Sequence, residues 1–263
     1  MGNPPSRPGL VTVIVPFFNR EQFLAKTIAS ILRQSYSQFQ LILADDGSTD
    51  RSRFIAQSFR DPRILLIRSR KRRGKSHAVN QGLRFAQGEW AAFFDSDDVM
   101  VPRSLEIRVD FLKRNPQALA VMGRVGRIID GSGRPLPQNH PIHAGFRNSL
   151  RATRQLARRF GSLIPGLFVY GQCPLSPLSV TLFRRNTLQR LGRIDGRFAP
   201  WEDRDYLMRL AFHQPVPFLD APVMWYRVHG ENVSFRTFRG RMAHPKAASL
   251  ERQLKAKYTE LSG

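Results

Sequence analysis

The chain has 263 residues, 41% of them hydrophobic, enough for one large α/β domain with a real core. Its formal net charge of +22 favours anionic surroundings, whether nucleic acid, acidic lipid headgroups or phosphorylated substrates, without choosing among them. A single cysteine, Cys173, excludes an internal disulfide and any multi-cysteine zinc site, and no apolar run is long enough to span a bilayer.

Met1 to Gly9 lacks the basic start and apolar stretch of a signal peptide, so a cytoplasmic chain is expected. Met1 to Ser6 fits the loose myristoylation pattern, and equally a short lead-in. Leu10 to Pro16 is a nearly continuous apolar, β-branched run that predicts a strand buried on both faces. Apolar residues at helical spacing between Glu21 and Gln34 predict a helix, and Phe39 to Ala44 a second strand. That strand stops at the turn-rich stretch Asp45 to Asp50, whose last residue reads as the cap of a helix running to Phe59. Arg63 to Ile67 reads as a strand, Lys75 to Ala86 as a helix and Trp90 to Phe94 as a strand ending on Asp95, Ser96, Asp97 and Asp98. Pro102 opens a helix to about Lys113, and Ala118 to Met122 is a fifth strand.

This β-α-β-α-β-α-β order with short connections predicts an α/β fold: a mostly parallel central sheet flanked by helices, with right-handed crossovers. Beyond Gly123 the regularity fades. Ile128 to Leu136 suits a hairpin, Leu178 to Phe183 a strand, Asp203 to Phe212 a helix, Val223 to Val228 a strand, and the tail is helical from Lys246. No linker divides the chain, which predicts a single domain over residues 1–263.

Both acidic clusters fall at carboxyl ends of predicted strands, where open α/β sheets bind ligands. Three carboxylates within four residues repel one another unless a cation or raised pKa values relieve them, and oxygen-rich sites suit Mg²⁺ or Mn²⁺. The same residues also suit a solvated turn capping the next helix. Glu202, Asp203 and Asp205 precede a helical pattern and fit either the helix dipole or a general base, while His229 is a lone imidazole near the end.

Taken in order, Val11 to Asn19 (VTVIVPFFN), Asp45 to Asp50 (DDGSTD), Arg73 to Leu83 (RGKSHAVNQGL) and Phe93 to Asp98 (FFDSDD) resemble glycosyltransferase family 2, of the GT-A fold. The resemblance is dense over residues 10 to 110. It returns at Phe183 to Arg185, Gly196 to Phe198, Glu202 and Asp203, and Tyr226 to Gly230. It implies a nucleotide-sugar half at 10–124, an acceptor and catalytic-base half at 125–235, and a basic tail at 236–263. Pro16, with Phe17 and Asn19, would border the nucleobase; Asp45 would hydrogen-bond that base, commonly uracil, with Asp46 supporting the loop. Gly74 and Lys75 would line the nucleotide pocket, although Lys75 also fits a solvated surface. Asp95 and Asp97 would be the Asp-x-Asp pair, flanking Ser96, with Asp95 toward ribose or sugar and Asp97 toward a divalent metal. Asp203, beside Glu202, would be the catalytic base, and His229 the C-terminal metal contact. The implied reaction is inverting transfer of one sugar from a UDP-linked donor to a glycan or lipid-linked acceptor in cell-envelope polysaccharide synthesis.

The Gln-x-x-Arg-Trp element associated with processive members is absent, which favours transfer of a single sugar. Gly126 to Pro177 departs from the family pattern, and acceptor choice is expected there. The basic charge suits peripheral docking on the inner, anionic face of a cytoplasmic membrane, with the tail from Lys246 to Leu261 a modest amphipathic candidate. Arg70 to Arg73 and the Arg-rich stretch from Arg147 to Arg159 also suit a nucleic-acid-binding protein, but no recognised module accompanies them. A nucleotidyltransferase on a similar fold would carry a Gly-rich phosphate loop where Pro16 to Asn19 stands.

Overall fold

A computed structural model describes residues 4–144, 146–148, 150–151, 178–199 and 202–232. Its centre is strand β1 (Arg7–Phe17), whose Val11, Val13, Ile14 and Val15 are fully buried, as a β-branched run covered on both faces requires. β1 pairs in parallel with β2 (Phe39–Asp45) on one side and β4 (Gly88–Phe93) on the other, and β3 (Ile64–Arg68) extends the sheet beyond β2. Helix α1 (Leu24–Leu32) follows β1 and buries Leu24, Ile28 and Ile31. Helix α2 (Ser52–Ser58) links β2 to β3, and α3 (Lys75–Leu83) links β3 to β4. In register, Phe17 lies beside Asp45, Asp45 beside Arg68, and Ile14 beside Phe93, so these strands end together. Both acidic clusters leave the sheet at that shared end, from the two strands flanking β1.

The second half departs from a purely parallel sheet. The order is β3-β2-β1-β4-β7-β6-β8-β5. Strand β5 (Val99–Met100) has two residues, and helix α4 (Ser104–Arg114) leads to β6 (Ala120–Ile129). β7 (Thr181–Arg184) inserts antiparallel between β4 and β6, and helix α5 (Arg185–Leu191) follows it directly. After a 3-10 turn at Gly196–Phe198 comes helix α6 (Glu202–His213), and then β8 (Phe218–Arg227), parallel to β6 and antiparallel to β5. The hairpin expected after Ile128 is present as a turn: Asp130 N–H donates to Arg134 O, and Leu136 N–H to Ile128 O.

The fifth predicted strand runs seven residues past Met122, through Gly123 and Gly126. It was invisible there because its alternation is broken: the pairing with β8 shifts register between Met122 and Arg127. Gly123 allows the close approach, since a Cβ built on it would stand 2.4 Å from Val223 Cγ1 and 2.8 Å from Cγ2. The tail expected to be helical from Lys246, Cys173, and residues 152–159 of the Arg-rich stretch lie outside the described residues. Among the described residues no helix is long and apolar enough to cross a membrane.

Gly123→Ala is expected to destabilise the fold by about 1–3 kcal/mol through overpacking. Because either rotation of Val223 leaves a methyl in the way, the double variant Gly123→Ala, Val223→Ala should recover part of that loss in urea unfolding. Equal midpoints for the single and double variants would contradict this account of the β6–β8 approach.

Candidate active site

The turn after β2 is built around two buried carboxylates that do different things. Asp45 Oδ1 accepts the Ser48 N–H at 2.7 Å, while its Oδ2 is buried and without a donor. Asp46 faces the loop before α3 and accepts from Arg73 N–H at 2.9 Å and Gly74 N–H at 2.7 Å. Gly47, at φ 82°, lets that loop settle on the turn, for a Cβ there would stand 2.9 Å from the Lys71 carbonyl carbon. Asn19 sits in the left-handed region at φ 50° and accepts the Thr49 N–H at 2.9 Å, fastening the end of β1 to the same turn. Phe17 is packed in the core beside Asp45, while the Phe18 ring carries the Arg72 guanidinium 4.3 Å from its centroid.

The turn after β4 is held still more closely. Thr27 Oγ1, on α1, lies 3.0 Å from Ser96 O and 2.8 Å from Asp98 O, one hydroxyl reaching two carbonyls. Asp98 is buried, and its Oδ1 accepts the Arg227 N–H at 2.8 Å. Burial pushes the Asp98 carboxyl well above the usual carboxylate range, and the nearby charges of Asp97 and Asp95 push it the same way. The Arg227 side chain, fully buried, donates through Nε to Asp97 O at 2.6 Å and through Nη1 to Asp130 O and Gly131 O at 3.2 and 3.1 Å.

Asp97 and His229 meet here. His229 Nε2 lies 3.0 Å from Asp97 Oδ2, its Nδ1 accepts the Glu231 N–H at 3.3 Å, and its ring stacks 4.4 Å from that of Phe23. Nε2 also lies 3.2 Å from Asn232 Nδ2, so this ring nitrogen stands between an amide donor and the Asp97 carboxylate. Arg20 adds its guanidinium at 3.6 Å from the same carboxylate and bonds Glu231 at 2.7 Å.

Asp95 points elsewhere. Its carboxylate pairs with the Lys75 ammonium and accepts from Ser179 Oγ at 3.0 Å. Desolvation works against the charge on Lys75, but Asp95, Glu202 and Asp203 outweigh it and raise the pKa of the ammonium. Glu202 and Asp203 open α6. Burial raises both carboxyls above their usual range, and Lys75 offsets part of that rise. Asp203 Oδ1 accepts the Arg204 N–H at 2.8 Å, whereas Glu202 Oε2 is buried without a donor. Pro16, Lys75, Ser76, Asp95, Ser179 and Glu202 line a small cleft between the two halves of the sheet, and Ser76 Oγ is a second unpaired buried atom on its wall.

The structure therefore joins Asp97 to His229, and Asp95 to Lys75, Glu202 and Asp203. Among the described residues, no three His, Cys, Asp or Glu side chains converge as a closed metal cluster. The Asp97–His229 pair nevertheless fits an open divalent site. Two adjacent ligands on an octahedral ion at about 2.1 Å stand about 3 Å apart, and the carboxylate oxygen and imidazole nitrogen are separated by 3.0 Å. Oxygen and nitrogen donors of this kind suit Mn²⁺ or Mg²⁺, with substrate oxygens completing the shell. Three supporting residues had no assigned role from the sequence: Arg227, Ser179 and Arg20. Arg227 alone had a signal, its place inside the Tyr226 to Gly230 motif.

A mixed α/β sheet with carboxylates gathered at the carboxyl ends of its parallel strands defines an α/β class of fold whose ligand site lies at that edge. The chain matches the model of Glycosyl transferase family 2 over residues 12–175, and it belongs to that family. It is 36% identical over 106 residues to the Escherichia coli UDP-Glc:alpha-D-GlcNAc-diphosphoundecaprenol beta-1,3-glucosyltransferase WfgD, covering 40% of this chain and 42% of that protein. It is 34% identical over 137 residues to the putative teichuronic acid biosynthesis glycosyltransferase TuaG of Bacillus subtilis, covering 51% and 53%. Among solved structures, Staphylococcus aureus TarS 1–349 in complex with UDP-GlcNAc superposes with a TM-score of 0.69 at 18% identity, covering 94% of this chain and 65% of that one. Mannosyltransferase PcManGT of Pyrobaculum calidifontis, in complex with GDP-Man and Mn²⁺, gives 0.64 at 25% identity, covering 90% and 63%. These likenesses identify the sheet as the GT-A fold. The chain spans less than two thirds of the length of each of these relatives.

Replacing the buried Arg227 by Met leaves the carbonyls of Asp97, Asp130 and Gly131 without their charged donor. The expected cost is about 3 kcal/mol in denaturant unfolding, since hydrogen bonds to charged groups contribute roughly 1.5–3 kcal/mol each. A change below about 1 kcal/mol would show that the guanidinium does not hold this turn.

Proposed function

We propose that this chain is an inverting glycosyltransferase that moves one sugar from a nucleoside-diphosphate sugar, UDP-linked, to an acceptor hydroxyl in the synthesis of a cell-surface glycan or glycolipid. The observation that carries this reading is the gathering at one sheet end of an unpaired Asp45 oxygen, the Asp97–His229 pair and the Lys75–Asp95–Glu202–Asp203 charge cluster. A buried carboxylate oxygen without a donor is costly until a ligand N–H fills it, and a pyrimidine base with a ring N–H is such a ligand. The UDP-Glc donor and diphosphoundecaprenol-linked acceptor in the name of the E. coli relative, and the UDP-GlcNAc bound by TarS, support a UDP-sugar and a lipid-linked acceptor. The division into a nucleotide half, 10–124, and an acceptor half, 125–235, belongs to the same proposal.

The Asp203 carboxylate takes the proton from the acceptor hydroxyl as that oxygen bonds to the anomeric carbon. The bond from that carbon to the diphosphate oxygen breaks in the same displacement, so the configuration inverts. Desolvation strengthens Asp203 as a base by raising its carboxyl toward neutral pH. Glu202 and Ser76 hold unpaired polar atoms on the wall of the small cleft beside Asp95. Lys75 holds Asp95 against Ser179 and keeps a positive charge beside the site of the departing diphosphate. Asp97 and His229 would hold Mn²⁺ or Mg²⁺, which when bound supplies charge neutralisation for the leaving nucleoside diphosphate, while Asp95 stays on Lys75.

Asp203→Ala should lower turnover by about 10²–10⁴-fold while calorimetric UDP binding stays at the parent value. Near-parental turnover would remove Asp203 as base. Asp97→Ala is expected to abolish the gain in UDP affinity produced by Mn²⁺. If titrations with and without Mn²⁺ differ as much in the variant as in the parent, Asp97 is not a metal ligand.

A further inference from the structure

The site absorbs the acidic residues but little of the positive charge, and that charge is unevenly placed. Residues 51–73 carry Arg or Lys at nine positions against one acid, Asp61. Asp61 is already engaged by Arg63 at 2.7 Å. The acids bordering the segment are also engaged: Glu21 accepts the Arg51 N–H, and Asp50 accepts N–H groups of Ser52 and Glu21. This stretch comprises α2, the edge strand β3 and the loop to α3, so its charge is concentrated on one side of the molecule. The Arg72 guanidinium lies over Phe18 and the Arg73 backbone N–H bonds Asp46, whereas the side chains of Arg60, Arg68, Arg70 and Lys71 are exposed.

Apolar surface accompanies the charge. Phe54, in the first turn of α2, is 71% exposed, more than any other large hydrophobic residue described. A groove between α2 and β3 is lined by the half-buried Phe59, Ile64 and Leu66, and no described strand covers the outer edge of β3. A basic rim around an apolar face matches a surface that offers phosphates outside and hydrocarbon beneath.

We propose that the α2–β3 face docks on an anionic lipid bilayer, with Arg60, Arg70 and Lys71 against the headgroups and Phe54 at the acyl boundary. A nucleic acid would answer the charge but leave the apolar groove without a partner. The loop carrying Arg70 and Lys71 leaves β3 at the end where the acidic clusters gather, so docking brings the cleft mouth to the headgroup layer.

The test is cosedimentation of the full chain with vesicles of phosphatidylcholine alone or mixed with phosphatidylglycerol, at low and high salt, and it requires no catalytic activity. The parent should sediment with the anionic vesicles at low salt only. Neutralising the patch (R60Q/R70Q/K71Q) should weaken partitioning on the order of a hundredfold, and F54S by roughly tenfold. A control with the same loss of charge on other faces (R84Q/R114Q/R190Q) should bind as the parent does, with thermal melting establishing that each variant folds. If a patch variant fails to melt cooperatively, R70Q/K71Q and F54A take its place and should still weaken partitioning, the first by roughly thirtyfold, while R60K/R70K binds like the parent. The proposal is overturned if the parent ignores anionic vesicles, if the control loses as much as the patch variant, or if F54S binds vesicles as the parent does.

Discussion

The architecture depends on one buried cation. Arg227 arrives at the end of β8, is cut off from solvent, and gives Nε and Nη1 to the carbonyls of Asp97, Asp130 and Gly131 while its backbone N–H reaches Asp98. A guanidinium in that position satisfies backbone oxygens that otherwise face each other across a turn crowded with carboxylates. It also sets His229, two residues later, against Asp97. The β1–β4 side and the far edge of the sheet are thus joined at the point where these carboxylates gather.

The remaining negative charge is divided between donors of the same chain. Lys75 serves Asp95, Glu202 and Asp203, whereas Arg20 and His229 serve Asp97. This arrangement lets several carboxylates share a cleft without a closed metal cluster. The two sets are supported from different elements, α3 and α6 for the first, α1 and β8 for the second. Ser179, just ahead of β7, links Asp95 to the antiparallel strand inserted in the sheet.

Much of the first half was legible from local pattern. β1 to β4 are apolar runs bounded by turns, and a parallel sheet follows from helices lying between them. The acidic turns could be placed at strand ends for the same reason. The antiparallel direction of β7 was not legible, because nothing in a four-residue strand specifies its partner. β5 has only two residues and exists by virtue of its pairing with β8. The continuation of β6 was hidden by Gly123, Gly126 and the register shifts. Arg227 was recognisable only as part of a motif, since an arginine that will be buried looks in sequence like one that will be solvated. Lys75 stood between a surface and a site reading, and the structure sets it on Asp95 because Gly74, tied to Asp46, starts α3 at that spot.

The β8 docking has a consequence for how the molecule reaches its native state. The contacts that complete the carboxylate turn join residues 129 and 132 positions apart, Asp98 to Arg227 and Asp97 to His229. Closing so long a loop is entropically costly, and contacts of such sequence separation form slowly. β1 to β4 pair over much shorter spans, so they can assemble while Asp95, Asp97 and Asp98 are still open to water and their mutual repulsion is screened by solvent. Desolvation of that turn coincides with delivery of the guanidinium that compensates it.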